Sequence, residues 1–311
     1  MGTSSSPTRQ AACAAISSAS RPATASASSC RRTTCHEDAS STGIASSLTS
    51  DIVGGLASAR VFDLEQLRYA GAPSHPAHAP GFNYFLHRHH APGAPEARTG
   101  ASGIVVMPEH SGTHIDALAH QAENLMLHGG VPVDGVQTSA GFRALGIEQM
   151  APIVGRGVLL DVADEHRLEP EHAITPDELQ RAAASAGVEV REGDVVLVRT
   201  GYGALWNEPE QYLRAAGVSG AGSRWLAELN VKAVGADNIA WDVVGPTDPD
   251  LGVTLPGHVL LLVRAGIPII ENLNLEELSA ANVYEFGFVC LPLKMRGATG
   301  SPVRPIAIAG P

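Results

Sequence analysis

Lysine is almost missing from this chain: 311 residues hold only Lys232 and Lys294, and arginine supplies the rest of the 21 basic residues. Against 32 Asp and Glu the formal net charge is −11, and no stripe of basic residues overcomes it locally. Such a surface repels a phosphate backbone, so nucleic acid is excluded as an expected partner. Long hydrophobic runs are lacking too. The longest, "HVLLLVRAGIPII", is broken by Arg264 and Pro268, short of the roughly eighteen uninterrupted apolar residues of a membrane span. No membrane partner is expected. Cysteine is scarce: Cys13, Cys30 and Cys35 lie in the first fifty residues, and Cys290 stands alone in "FGFVCLPL". One thiol cannot form an internal disulfide, so a reducing, cytoplasmic setting is expected. Cys290 reads as a small buried hydrophobe, with a reactive thiol as the alternative.

What is present suits a large core, with 44% hydrophobic and 17% charged residues. Residues 1 to 50 stand apart. They are rich in Ser, Ala and Thr, without hydrophobic periodicity, and carry a local charge of +2 that leaves −13 for residues 51 to 311. This leader is expected to be disordered, since it has little apolar surface to offset its ordering entropy. Its Arg- and Ser-rich, acid-poor composition matches an organelle transit peptide. An overextended start in a GC-rich coding sequence explains it equally well.

From residue 51 onward, apolar runs alternate with Gly/Pro turns. Strands are predicted at 103–107, 157–162, 194–200, 231–237, 267–273 and 286–293. "TPDELQRAAASAG" predicts a helix with Thr175 as N-cap, Pro176 at its first position and Gly187 beyond its end. "SGAGSRWLAEL" predicts a second, capped at Ser223, and "HVLLLVRAG" a third ending at Gly266. Strands and helices mix without strict alternation, which predicts a mixed α/β fold in a single domain, residues 51 to 311.

The chemistry concentrates in "EHSGTHIDALAHQ", residues 109 to 121. On one α-helix Asp116 would lie about 200° around from His114. On one straight strand His110 and His114 would stand about 13 Å apart. The groups converge only if the chain turns between them, and Gly112 permits that turn. Two neutral imidazoles and a carboxylate then make a three-ligand metal site with open positions, unlike the closed, cysteine-rich structural sites. Such a site activates a water and polarises a carbonyl. His120 is left as the additional imidazole, suited to general base and then general acid work. The competing reading is a histidine-rich surface loop.

The stretch "HSGTHIDALAH" resembles the H-x-G-T-H-x-D-x-x-x-H signature of the cyclase family of metal-dependent hydrolases, which includes kynurenine formamidases and isatin hydrolases. "RGVLLDVA", "GDVVLVRTGYG", "GADNIAWD", "PGHVLLLVRAGIPIIENLNLEEL" and "FVCLPLKMRGATGSPVRPIAI" are also similar to this family, so the likeness covers residues 55 to about 309. The resemblance implies a swivelling β/β/α-type fold, homodimers or homotetramers, and hydrolysis of small cyclic or N-acyl amides, imides or lactones. It implies His110, His114 and Asp116 as ligands of Mn or Zn and His120 as the catalytic histidine. Leu118 stands where kynurenine formamidases have proline, which brings the motif nearer the isatin hydrolases and their single manganese. His258 and Glu271 resemble the further ligands of two-zinc formamidases. Their alternatives are a helix-start hydrogen bond for His258 and an arginine partner for Glu271.

Two clusters carry less. "FLHRHHAPG", with His87, His89 and His90, reads as a solvated lid in a Pro/Gly-rich loop. Phe82, Tyr84, Phe85, Tyr202, Trp206 and Trp241 are candidates for an aromatic substrate pocket, with plain core as the alternative. The functional expectation is a small-molecule hydrolase of isatin- or N-formylkynurenine-like amides. Alternatives are an arylformamidase of tryptophan catabolism, a lactone hydrolase, or a metal-binding relative without turnover, for which His120 has no use.

Overall fold

The computed structural model describes residues 53 to 93 and 95 to 310. The expectation of a disordered leader, residues 1 to 50, lies outside the described residues.

Eleven strands organise the molecule, labelled in chain order: β1 Arg60–Asp63, β2 Asn83–Arg88, β3 Ser102–Val106, β4 His114–Asp116, β5 Ile153–Asp161, β6 Val195–Arg199, β7 Ala233–Ala236, β8 Ile269–Glu271, β9 Glu285–Cys290, β10 Gly300–Pro302 and β11 Ile306–Ala309. Nine of them form one mixed sheet in the order β1-β11-β9-β5-β6-β7-β8-β4-β10. β5 to β8 are mutually parallel, and antiparallel strands flank them on both sides.

The parallel centre follows from its residues. Val195, Val196, Leu197 and Val198 are fully buried in succession, as a strand covered on both faces requires. Because side chains alternate, one strand feeds two cores. Leu159, Val195, Leu197, Ala233 and Ile270 pack with Phe62, Phe286 and Phe288 on one face. Val158, Leu160, Val196, Val198, Val234 and Ile269 pack on the other with Leu179, Leu226 and Leu261 from the helices.

The helix at Pro176–Ser185 begins as expected, with a reciprocal capping box between Thr175 and Glu178. The next, Gly220–Glu228, corrects an expectation. Ser219 is its cap, accepting from Gly222 N at 3.1 Å, while Ser223 is buried inside the helix and accepts from Trp241 Nε1. The third starts as an α-turn at Pro256–His258, continues π-wound through Val259–Ala265, and ends at Gly266. The predicted strand at 103–107 exists as β3 but lies outside the main sheet. It pairs with β2, of which residues 85–88 were expected in the Pro/Gly-rich loop; alternation there is masked because both faces of the ribbon are exposed. Periodicity also missed β4, a three-residue strand whose polar positions face a site instead of solvent.

Candidate metal centre

Strand β4 sits between β8 and β10 and sets the centre of the site. His114 and Asp116, two residues apart, share one face, while Ile115 between them points into the core. His114 pairs directly with Glu271 of β8, and Asp116 with Gly300 of β10. A side chain at Gly300 would run into the His110 ring, 2.6 Å from a built Cβ. Upstream, Gly112 takes φ +64°, turning the chain so that His110 folds back over Asp116. The Arg68 guanidinium staples this turn by donating to the Ser111 and Thr113 carbonyls. The third helix contributes His258 from its first turn.

Asp116, His110, His114, His258 and Glu271 are all at most 5% exposed. His110 Nδ1 lies 2.8 Å from Asp116 Oδ1. His114 donates from Nδ1 to the Gly112 carbonyl at 2.8 Å, leaving Nε2 to face Asp116 Oδ1 at 3.5 Å and Glu271 Oε2 at 3.3 Å. His258 is arranged likewise. Its Nδ1 donates to Asp242 Oδ2 at 2.8 Å, and Nε2 faces Glu271 Oε1 at 3.2 Å and Asp116 Oδ2 at 3.6 Å. Asp242 also accepts from the Gly257 and His258 backbone N–H groups, so one carboxylate both anchors the helix start and aims the imidazole.

This arrangement fits a cation. Asp116 Oδ2 and Glu271 Oε1 are buried and have no hydrogen-bond partner among the described residues, a costly state unless a positive charge meets them. The surrounding imidazoles of His114 and His258 are biased toward their charged forms. Burial works against a charged His114, yet the hydrogen bond to Glu271 and the charges of Glu271 and Asp116 overcome it and raise its pKa. Burial is likewise outweighed at His258, held well above the usual imidazole range by Asp242 and Glu271. Two donor sets overlap at Asp116, one with His110 and His114, the other with His120 and His258; within each set the donor atoms lie no more than 4.8 Å apart.

His120 follows a turn just after β4 and stacks on His110, ring centroids 3.9 Å apart. Burial above all, opposed by Asp116 and aided by His110 and His258, lowers its pKa to about 3, so the ring is a neutral proton acceptor.

A cavity of about 640 Å³ opens beside His110 and His120. The expected aromatic lining is not brought to it. Trp206 packs edge-on against Tyr212 and donates from Nε1 to the Leu67 carbonyl. Trp241 and Tyr202 are buried in the core, and Tyr84 and Phe85 stand on the exposed β2 ribbon after a half-buried Phe82. Val105, Met107 and Met295 face the cavity instead. His87, His89 and His90 are exposed and outside the centre. Three residues of the site carried no expectation: His78, whose ring stacks on His110 at 4.8 Å; Asp242; and Thr299, whose hydroxyl lies 2.8 Å from His110 Nε2 and donates to Glu109. Asp242 and Thr299 fall within segments that resemble the family, which was their one signal.

A family model described as Putative cyclase matches residues 58–243, more than half of the chain. The chain belongs to the cyclase family. Within that family it is 28% identical over 246 residues to the kynurenine formamidase of Paracidovorax citrulli, covering 79% of this chain and 95% of the formamidase. It is 26% identical over 214 residues to the isatin hydrolase of Roseibium aggregatum, covering 66% and 73%. The match to Cyclase-like protein 3 of Oryza sativa subsp. japonica, 28% identical, covers 65% of this chain and 63% of the rice protein. A solved structure of a novel cyclase superposes with a TM-score of 0.74 at 29% identity, covering 84% of this chain and 90% of that one.

Proposed function

We propose that this cyclase-family protein is a metal-dependent hydrolase of small cyclic or N-acyl amides, of the isatin or N-formylkynurenine kind. The observation that carries this reading is the buried donor set with two partnerless carboxylate oxygens, Asp116 Oδ2 and Glu271 Oε1, facing three imidazoles and bordered by a fourth that is neutral. His110, His114 and Asp116 would hold one Mn or Zn ion. Glu271 and His258, which lie beside Asp116 and His114, are the residues that would hold a second ion. A bound divalent ion supplies a Lewis acid for the carbonyl and acidifies a water. Asp242 and the Gly112 carbonyl hold His258 and His114 in the tautomers that present Nε2. His120 takes the proton of the attacking water and returns it to the departing nitrogen. A metal-binding protein without turnover would have no need of that neutral ring.

The test is metal analysis of purified protein combined with a screen of isatin, N-formylkynurenine and simple lactones. Metal near stoichiometry and metal-dependent turnover of an amide is the expected result; turnover that survives complete removal of metal overturns the reading. Glu271→Ala should halve a two-ion stoichiometry and leave a one-ion stoichiometry unchanged.

The homo-oligomer implied by the resemblance has a surface to form on. A two-stranded ribbon by itself is marginal in water, yet β2 and β3 expose Phe85, Leu86, Ile104 and Val106, a patch suited to a second copy.

A further inference from the structure

His78 lies outside the motif, on a short helical turn at Pro76–His78, thirty-two residues before His110. Tertiary folding nevertheless brings its ring to the rim of the centre, 4.8 Å from the His110 ring at an interplanar angle of 28° and 6.0 Å from the His120 ring. It lines the same cavity as His110 and His120. His78, His110 and His120 also present ring nitrogens within 4.8 Å of one another, so the metal content of a His78 variant separates a ligand from a residue that meets substrate. The histidines of the buried ligand set are each tied down: His114 to Gly112, His258 to Asp242, and His110 to Asp116 and Thr299; His120, the proposed base, makes ring contacts only. Among the described residues, the His78 ring has no hydrogen-bond partner, and only its main-chain groups are engaged: the carbonyl accepts from Ser74 and Gly81, and the amide donates to His75. Val105, Met107, Leu293 and Met295 give the cavity an apolar wall, Glu109 adds a carboxylate, and among the described residues no Lys or Arg lines it. A volume of about 640 Å³ is that of a small-molecule site.

From this we infer that His78 is a substrate-binding and specificity-determining residue: its imidazole edge hydrogen-bonds the polar edge of an uncharged carbonyl compound whose apolar ring rests on Val105, Met107 and Met295. The inference deepens the hydrolase reading and rests on it. A group with a free donor and acceptor beside an apolar wall selects by polar contact, since an analogue that leaves it unpaired loses that contact. Among the described residues the cavity offers no Lys or Arg to meet a substrate carboxylate and carries Glu109, so an uncharged ring amide such as isatin fits it better than an amino-acid substrate such as N-formylkynurenine.

The experiment compares wild type with His78→Ala, His78→Gln and His78→Phe in the manganese-loaded full-length protein. It reads KM and kcat for isatin, metal content, and calorimetric binding of oxindole as a non-hydrolysed analogue. His78→Ala should raise KM and the oxindole Kd about fivefold to tenfold, with kcat within threefold and metal content unchanged, as for loss of ground-state binding. His78→Gln should recover most of the affinity and His78→Phe none. Unchanged KM and Kd in His78→Ala, recovery by His78→Phe, or loss of metal in His78→Ala each overturns the assignment. If wild type turns over isatin or binds oxindole and the variants do not differ from it, His78 alone is refuted. Should wild type do neither while holding metal, the selection of an uncharged ring amide through His78 is overturned, whereas the hydrolase reading falls only if N-formylkynurenine and the lactones are not turned over either.

Discussion

His110 and His120 stack within van der Waals reach of each other, yet their surroundings give them different work. His110 is held at Nε2 by Thr299, which would leave Nδ1, beside Asp116 Oδ1, as the nitrogen to meet an ion next to that carboxylate, whereas His120 makes only ring contacts and stays neutral. The two roles should separate by mutation. His114→Ala is expected to lose metal and activity together, read by elemental analysis beside an activity assay. His120→Ala should keep its metal and lose on the order of 10² to 10⁴ in kcat, the usual share of acid–base catalysis; if it released the metal it would be a ligand. Asp242→Asn tests the support behind His258. It removes the acceptor that fixes the imidazole while nearly preserving shape, so metal affinity should fall roughly 10- to 100-fold, measured by chelator competition.

At the scale of elements, the helix Pro176–Ser185 shows local sequence acting with little help from elsewhere. Thr175 accepts from Glu178 N, and Glu178 accepts from the Thr175 N–H and hydroxyl. Thr175→Ala should cost about 1 kcal/mol in urea unfolding. Burial raises the Glu178 carboxyl, but the Thr175 hydrogen bonds and the His172 contact outweigh it, so its pKa is depressed. A carboxyl depressed on folding stabilises above its unfolded pKa of about 4.3 and loses that contribution as pH falls through the folded value. The stability deficit of Glu178→Gln should therefore be present at pH 7 and shrink in acid, as chemical unfolding at the two pH values will show. The helix at Gly220–Glu228 illustrates the limit of the same rules: two serines four residues apart both look like caps, and only the packing of Trp241 on Ser223 assigns Ser219 the role.

For the whole molecule, the mixed sheet joins two cores and hangs the centre at one side of the parallel strands, where β4 runs antiparallel to β8. Among the described residues no helix is long and apolar enough to cross a membrane. The exposed β2–β3 ribbon is the part least explained by a single chain. Replacing Phe85 and Val106 together by Asp should shift the mass measured by light scattering toward the monomer. An unchanged oligomer would place the interface elsewhere.

The sequence by itself determined what depends on near neighbours. The buried parallel strands were legible as apolar runs, the first helix through its cap, and the convergence of His110, His114 and Asp116 through the turn at Gly112, because each of these is settled within a few residues of chain. His258 and Glu271 were legible only through a resemblance to known proteins, since no spacing rule links position 116 to 258 or 271. Sheet order joins them: β8 lies beside β4, and Asp242 aims the helix start across the gap. The same holds for His78 and Thr299, which reach His110 from 32 residues before it and 189 after it. The aromatic residues show the converse. Trp206 and Trp241 have the chemistry to line a pocket, but which side of a packed layer a ring faces is a property of the layer, and only the tertiary structure decided that both are core.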